Sequence, residues 1–201
     1  MAGTFDTIDT NTLSIGEVSI SNRGAKSCSL SSNNQPILVQ LSNVRTPFGT
    51  NSFEPSDRQN LDYSLDNSVT AAVARLDEWV VAAVVQRSEQ LFGKILSKEQ
   101  VLDKFKPSVT PPKKGDFPPT LRSKVNVTGT KMVRVWGLDG KPRSMPEDLR
   151  QCSITCKLHI RSLWFMGPQF GVTMETLDLQ VEEDSVSCPF LRSTFGESGP
   201  Q

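Results

Sequence analysis

The stretch SITCKLHIRSLWFM (Ser153–Met166), joined through Gly167-Pro168 to FGVTMETLDLQV (Phe170–Val181), decides the fold class. In the first run Lys157, His159, Arg161 and Phe165 share one side of a two-residue repeat. Leu158, Ile160 and Trp164 share the other. Side chains alternate faces along a strand, so this pattern predicts two long β-strands and assigns Trp164 to the core side.

Working outward, the same period recurs. Leu13–Ile20 alternates at Leu13, Ile15, Val18 and Ile20, with Gly16 a candidate bulge. Ser27–Asn34 is Ser/Asn-rich and reads as a turn region before the strand Pro36–Val44. Leu61–Leu65, Leu121–Val127 and Met132–Leu138 are shorter strand patterns, the last followed by the turn pair Asp139-Gly140. One segment departs from the rule. From about 68 to 90 the apolar positions Val69, Ala72, Val73, Leu76, Val80, Ala83 and Val84 follow helical spacing, with Trp79 bordering the stripe as packing. Ser97 to Gln100 form a capping box, which predicts a short helix over about 98–105 that Pro107 ends. The prolines between 111 and 119 make a stiff connection around Lys113 and Lys114. The resulting expectation is a mostly β (α+β) chain, a small closed or partly closed barrel with a helical insertion.

The charges balance at 22 basic and 22 acidic, yet they are unevenly distributed. Residues 1–90 sum to −4, residues 91–150 to +7 and residues 151–201 to −3. Local fields rather than net charge attract polyanions, so the middle of the chain is the segment to watch. No basic, apolar leader opens the sequence, and the longest apolar stretch, Trp79–Val85, is too short to span a bilayer. A reducing compartment and no membrane are therefore expected, with the four cysteines as thiols.

Catalytic chemistry does not assemble. His159 is the sole histidine, and no Gly-x-Ser-x-Gly elbow or His-Glu-x-x-His motif occurs. Gly137–Lys141 has the look of a phosphate loop, but Pro142 takes the position of its Ser/Thr, so a hairpin turn is the better reading. Cys152, Cys156, His159 and Cys188 offer zinc-ligand types at untidy spacing within a strand-like run, and are read as buried or idle thiols. No enzyme, metal or cofactor is expected.

Strand faces that mix cations with rings stand out instead. Arg122, Lys124 and Asn126 share a side, as do Met132, Arg134 and Trp136, and Lys157, Arg161 and Phe165. Such faces suit single-stranded nucleic acid, because cations hold phosphates and rings stack any base. The candidate nucleic-acid-binding residues are thus Arg122, Lys124, Arg134, Trp136, Lys157, Arg161 and Phe165, with Lys113 and Lys114 on the proline-stiffened loop. The plainer alternative is a solvated strand face that happens to be basic.

An ordered series of short motifs adds a resemblance. Val39-Gln40, Arg45-Thr46-Pro47-Phe48-Gly49, the long helix, Ser88 with Leu91-Phe92-Gly93-Lys94, and Phe105-Lys106-Pro107 come first. Ile160–Phe165, Phe170-Gly171-Val172-Thr173 and Cys188-Pro189-Phe190 complete it. Together they resemble a family of nucleocytoplasmic large DNA viruses, including algal viruses, that is similar to the single-stranded DNA-binding proteins of short-tailed coliphages. The resemblance covers roughly residues 13–190 and implies an OB-fold-like domain there; residues 1–12, which are polar, and 191–201, which lack periodicity, are read as flexible ends. It implies a non-enzymatic protein that coats single-stranded DNA during viral replication, recombination or repair, in the host nucleus or a cytoplasmic viral factory. Viral replication proteins such as a polymerase or helicase, and a second copy of the chain, are the protein partners it admits. The phage relatives end in a strongly acidic tail closed by an aromatic residue. Here Glu182-Glu183-Asp184 comes earlier and the last ten residues hold one acid and one base, so the recruiting role is not carried over. A virion structural or packaging protein, with the β domain making protein contacts, is the competing expectation.

Overall fold

The computed structural model describes residues 2–51, 56–113, 115 and 117–181. Among the described residues twelve strands and three α-helices make one β-rich body. The strands are β1 (Leu13–Ile20), β2 (Lys26–Ser32), β3 (Ile37–Thr46), β4 (Thr50–Asn51), β5 (Arg58–Ser64), β6 (Phe105–Lys106), β7 (Val109–Thr110), β8 (Thr120–Asn126), β9 (Arg134–Trp136), β10 (Pro142–Arg143), β11 (Cys152–Met166) and β12 (Gln169–Val181). The helices α1 (Asn67–Gln86), α2 (Ser88–Phe92) and α3 (Lys98–Lys104) lie between β5 and β6, as the change of period predicts.

The hairpin β11–β12 is the spine, and the hydrogen-bonded order runs β1-β2-β11-β12-β8-β5-β4. One edge of β11 takes β3 along Cys152–Ile160 and β2 along Ser162–Phe165. The far edge of β12 takes β6, β8 and β9 in parallel, one after another. Among the described residues the path ends at β1 and β4, so the sheet does not close, and of the two expected forms the fully closed barrel is overturned.

Two bulges bend the spine. Arg161 is an extra residue on β11 between the pairs Ile160–Met174 and Ser162–Thr173, and Leu177 is an extra residue on β12. A one-residue insertion reverses the alternation beyond it. Ile154, Cys156, Leu158 and Ile160 are buried below the Arg161 bulge, and Leu163 is buried above it.

Beneath the sheet, Tyr63 on β5, Ser123 on β8 and Thr176 on β12 form a buried hydroxyl triangle. Tyr63 Oη lies 2.5 Å from Thr176 Oγ1, and Ser123 Oγ is 2.6 Å from Thr176 and 3.2 Å from Tyr63. Every buried hydroxyl of the three has a partner, so the triangle ties three strands at little desolvation cost. The helices pack Ala72, Val73, Leu76, Val80, Val81 and Val84 of α1 into the same core. Asp66 caps α1 by accepting from Val69 N, and Ser97 and Gln100 cap α3 reciprocally.

Three local expectations are corrected. The Ser/Asn-rich region is mostly a strand, β2, because Cys28 and Leu30 are buried in alternation between serines; only Asn33 and Asn34, with positive φ, turn the chain. The single helix expected to Gln90 breaks at Arg87, whose guanidinium turns away to the backbone carbonyls of Ile15 and Gly16. Residues 2–12, expected to be flexible, dock on the sheet: Gly3 N donates to Leu38 O at 3.1 Å, and Phe5 is buried. The C-terminal tail 191–201, Glu182–Asp184 and Cys188-Pro189-Phe190 lie outside the described residues.

Candidate nucleic-acid interface

Direct cross-strand partners share a sheet face, so the register fixes which side chains meet. On the outer face Asn60 pairs Lys124, Lys124 pairs Glu175, and Glu175 pairs His159. Further along, Lys157 pairs Asp178, Asp178 pairs Arg134, and Gln180 pairs Trp136. Six of the sequence-predicted residues, Arg122, Lys124, Arg134, Trp136, Lys157 and Arg161, therefore stand on one side of the sheet.

Two buried carboxylates organise the upper half. Asp62 Oδ1 and Oδ2 accept from Arg122 Nε and Nη2 at 2.8 and 3.0 Å; the Asp62 side chain is 3% exposed and that of Arg122 58%. Glu175 accepts from Arg161 and, at 2.7 Å, from Asn126 Nδ2, with Arg58 at 3.9 Å. Burial pushes the Glu175 carboxyl up, but the bonds and charge of Arg161, the Asn126 bond and the Arg58 charge outweigh it and hold it below the ordinary carboxylate value. Each guanidinium is thus held on one side by a buried carboxylate and remains partly exposed to water on the other. Lys124 donates to Asn60 Oδ1 at 2.6 Å, and burial together with Arg58 and Arg122 lowers its pKa. His159, held below its usual value by burial and Arg161, sits beside them. Five cations (Arg58, Lys106, Arg122, Lys124 and Arg161) face two carboxylates, so this half is net positive.

The ring that belongs to this half is Trp164, not Phe165. The Arg161 bulge carries Leu163 inward and Trp164 outward, reversing the assignment that strict alternation gives. Trp164 pairs Gly171, and Gly171 pairs Lys106. The indole lies on the glycine, so close that a Cβ there would stand 2.9 Å from Trp164 Cζ2. Beside it opens a cleft of about 300 Å³ lined by Lys106, Arg122, Lys124, Trp164 and Thr173. Phe165 turns instead to the opposite side and stacks on Phe170 at 5.8 Å, with Phe92 edge-on at 5.7 Å and Lys26 Nζ 5.3 Å from its centroid. Its role in the sheet is packing.

In the lower half Trp136 and Arg134 flank Asp178, with Val133 and Val135 buried on the other side as their β-branching suggests. Lys113 is exposed on the connection from β7 to β8, and Lys114 lies outside the described residues. Sequence reasoning missed Arg58, Lys106 and Trp164. Arg58, Asn60 and Asp62 were legible as the polar alternates of Leu61 and Tyr63; Lys106 had no comparable signal.

For metal chemistry, Cys156 points into the core while His159 faces outward, so these two do not converge. No group of three or more metal-ligating side chains occurs among the described residues, and Cys188 lies outside them. No helix among the described residues is long and apolar enough to cross a membrane.

No protein-family model matches the chain, and no curated protein matches it. Solved structures similar to it include three of the single-stranded DNA-binding protein from bacteriophage Enc34. The form in complex with ssDNA is 9% identical, with 84% of this chain and 95% of that chain covered and a TM-score of 0.48. A C-terminal truncation is 11% identical, covering 83% and 95%, with a TM-score of 0.48. A third structure is 8% identical, covering 84% and 89%, with a TM-score of 0.45.

Proposed function

We propose that the outer face of the sheet binds single-stranded DNA without sequence preference. The observation that carries this reading is the cleft at Trp164, where an indole fixed on Gly171 stands among Lys106, Arg122 and Lys124. A ring wall between cations matches an unstacked base with its two flanking phosphates. A duplex hides its base faces, so the cleft discriminates by strandedness. Stacking does not read base edges, so it is tolerant of sequence.

The surrounding architecture is read as an OB-fold-like sheet with a helical insertion. The family resemblance supports a role in coating strands exposed during viral DNA replication, recombination or repair, with replication proteins as partners. No residue constellation on the face supports turnover of the strand, and the protein is read as a binder.

Titration of oligo-dT and a duplex of equal length, at about 50 and 200 mM salt, tests the proposal. Tighter binding of the single strand, falling steeply with salt, is expected. Equal affinity for both would overturn the proposal, and no binding at the lower salt with assembly into particles instead would favour a virion component.

A further inference from the structure

The hairpin of β9 and β10 holds a second ring in a similar setting. Trp136 is half-buried, and its indole N–H donates to Asp178 Oδ1 at 3.0 Å. Arg134 donates to the other oxygen of that carboxylate at 2.7 Å. The edge of the indole is thereby pinned while the ring forms one wall of a cavity of about 340 Å³, shared with Leu138, Asp139, Arg143 and Pro146. Leu138 is 66% exposed at its rim. Arg143 and Lys141 lie 3.4 and 3.9 Å from Asp139, so three cations, with Arg134, stand against two carboxylates.

The two rings lie at opposite ends of one face. Gln180, the register partner of Trp136, is nine residues beyond Gly171 on β12. At ~3.3 Å per residue, that is about 30 Å of strand contour. Lys157 and Arg161 stand along the way.

We infer that the hollow at Trp136 is a second nucleobase station, and that one single strand engages Trp164 and Trp136 together. This rests on the single-stranded DNA reading given above. A stacked strand advances ~3.4 Å per phosphate, so bridging about 30 Å takes about nine nucleotides, and roughly half as many when the strand is extended. That falls inside the ~4–16 nucleotides an OB fold covers. A shorter strand fills one station at a time. A longer one makes its second contact intramolecularly, and its affinity rises by far more than its length alone gives.

Titrating the full chain with oligo-dT of about 4, 8, 12 and 20 nucleotides tests the inference. Wild type should show a step of at least about tenfold in affinity between the 4-mer and the 12-mer. Trp136→Ala should remove most of that step and leave the 4-mer, which has Trp164 available, within about twofold. Trp136→Phe, which keeps a ring but loses the Asp178 bond, should retain most of it. It guards against misreading a folding defect in the alanine variant. A full step in Trp136→Ala would overturn the second station while leaving the DNA-binding reading intact. No binding of the 20-mer by wild type at low salt would overturn that reading itself.

Discussion

Trp164 rests on Gly171 with no room between them: a Cβ at Gly171 would lie 2.9 Å from the indole Cζ2 and 3.0 Å from Cε2 and Nε1. The absence of a side chain at residue 171 is therefore what lets the ring lie against the sheet and wall the cleft.

Gly171→Ala is expected to tilt the indole out of the cleft. The glycine's φ is not in the left-handed region, so the backbone accepts alanine and the effect acts through Trp164. Oligo-dT affinity should fall by about 1 kcal/mol or more, with a shift in tryptophan emission. Unchanged affinity and emission would show that the ring keeps its place by other contacts.

The strand pattern, the helical insertion and the basic face were legible in the sequence because each is periodic. Lys124, Arg134 and Lys157 fall where alternation puts them. Trp164 and Phe165 do not, because the bulge at Arg161 reverses the alternation, and nothing in the residues 160–162 announces one. β2 was hidden for a different reason: serines carry no strand signal, and its two inward residues, Cys28 and Leu30, are too few to set a period. Pairing across strands, which brings Glu175 between Lys124 and His159, is long-range and has no local trace.

Glu175→Gln removes the buried charge that Arg161 and Arg58 share. Stability should drop by about 1–3 kcal/mol, since charged hydrogen bonds are lost and Asn126 keeps only a neutral partner. Freed of that partner, Arg161 should pair a phosphate more fully and steepen the salt dependence of oligo-dT binding by up to about one unit. An unchanged slope would place Arg161 away from the strand.

Asp77 supplies a pH dependence unrelated to DNA. Buried on α1, it accepts from Ser108 N at 2.8 Å and Ser108 Oγ at 2.6 Å, anchoring the segment that carries Lys106. Burial raises its pKa to about 6 against the lowering effect of those bonds. The folded state then holds a proton that the unfolded chain has released. This contribution is most favourable below the unfolded value of 3.8 and is lost as pH rises towards about 6. The loss is no more than about 3 kcal/mol. Denaturant melts of wild type and Asp77→Asn across that window should differ in slope, the variant lacking this decline. Parallel curves would contradict the assignment.

Lys113 and Lys114 are expected to contact phosphates only. Replacing both with alanine should weaken binding evenly across sequences and flatten the salt slope by about one to two units. An unchanged slope would place the loop off the DNA path.

The claim that this face stacks bases on Trp164 is tested most directly by melting and oligo-dT affinity measured together on Trp164→Ala. The expected result is a loss of roughly 1–3 kcal/mol in binding with the melting temperature little changed, because the ring is not part of the buried core and the core-side residues stay packed without it. A loss of about 3–5 kcal/mol in stability with affinity intact would mark Trp164 as a core residue and contradict the account.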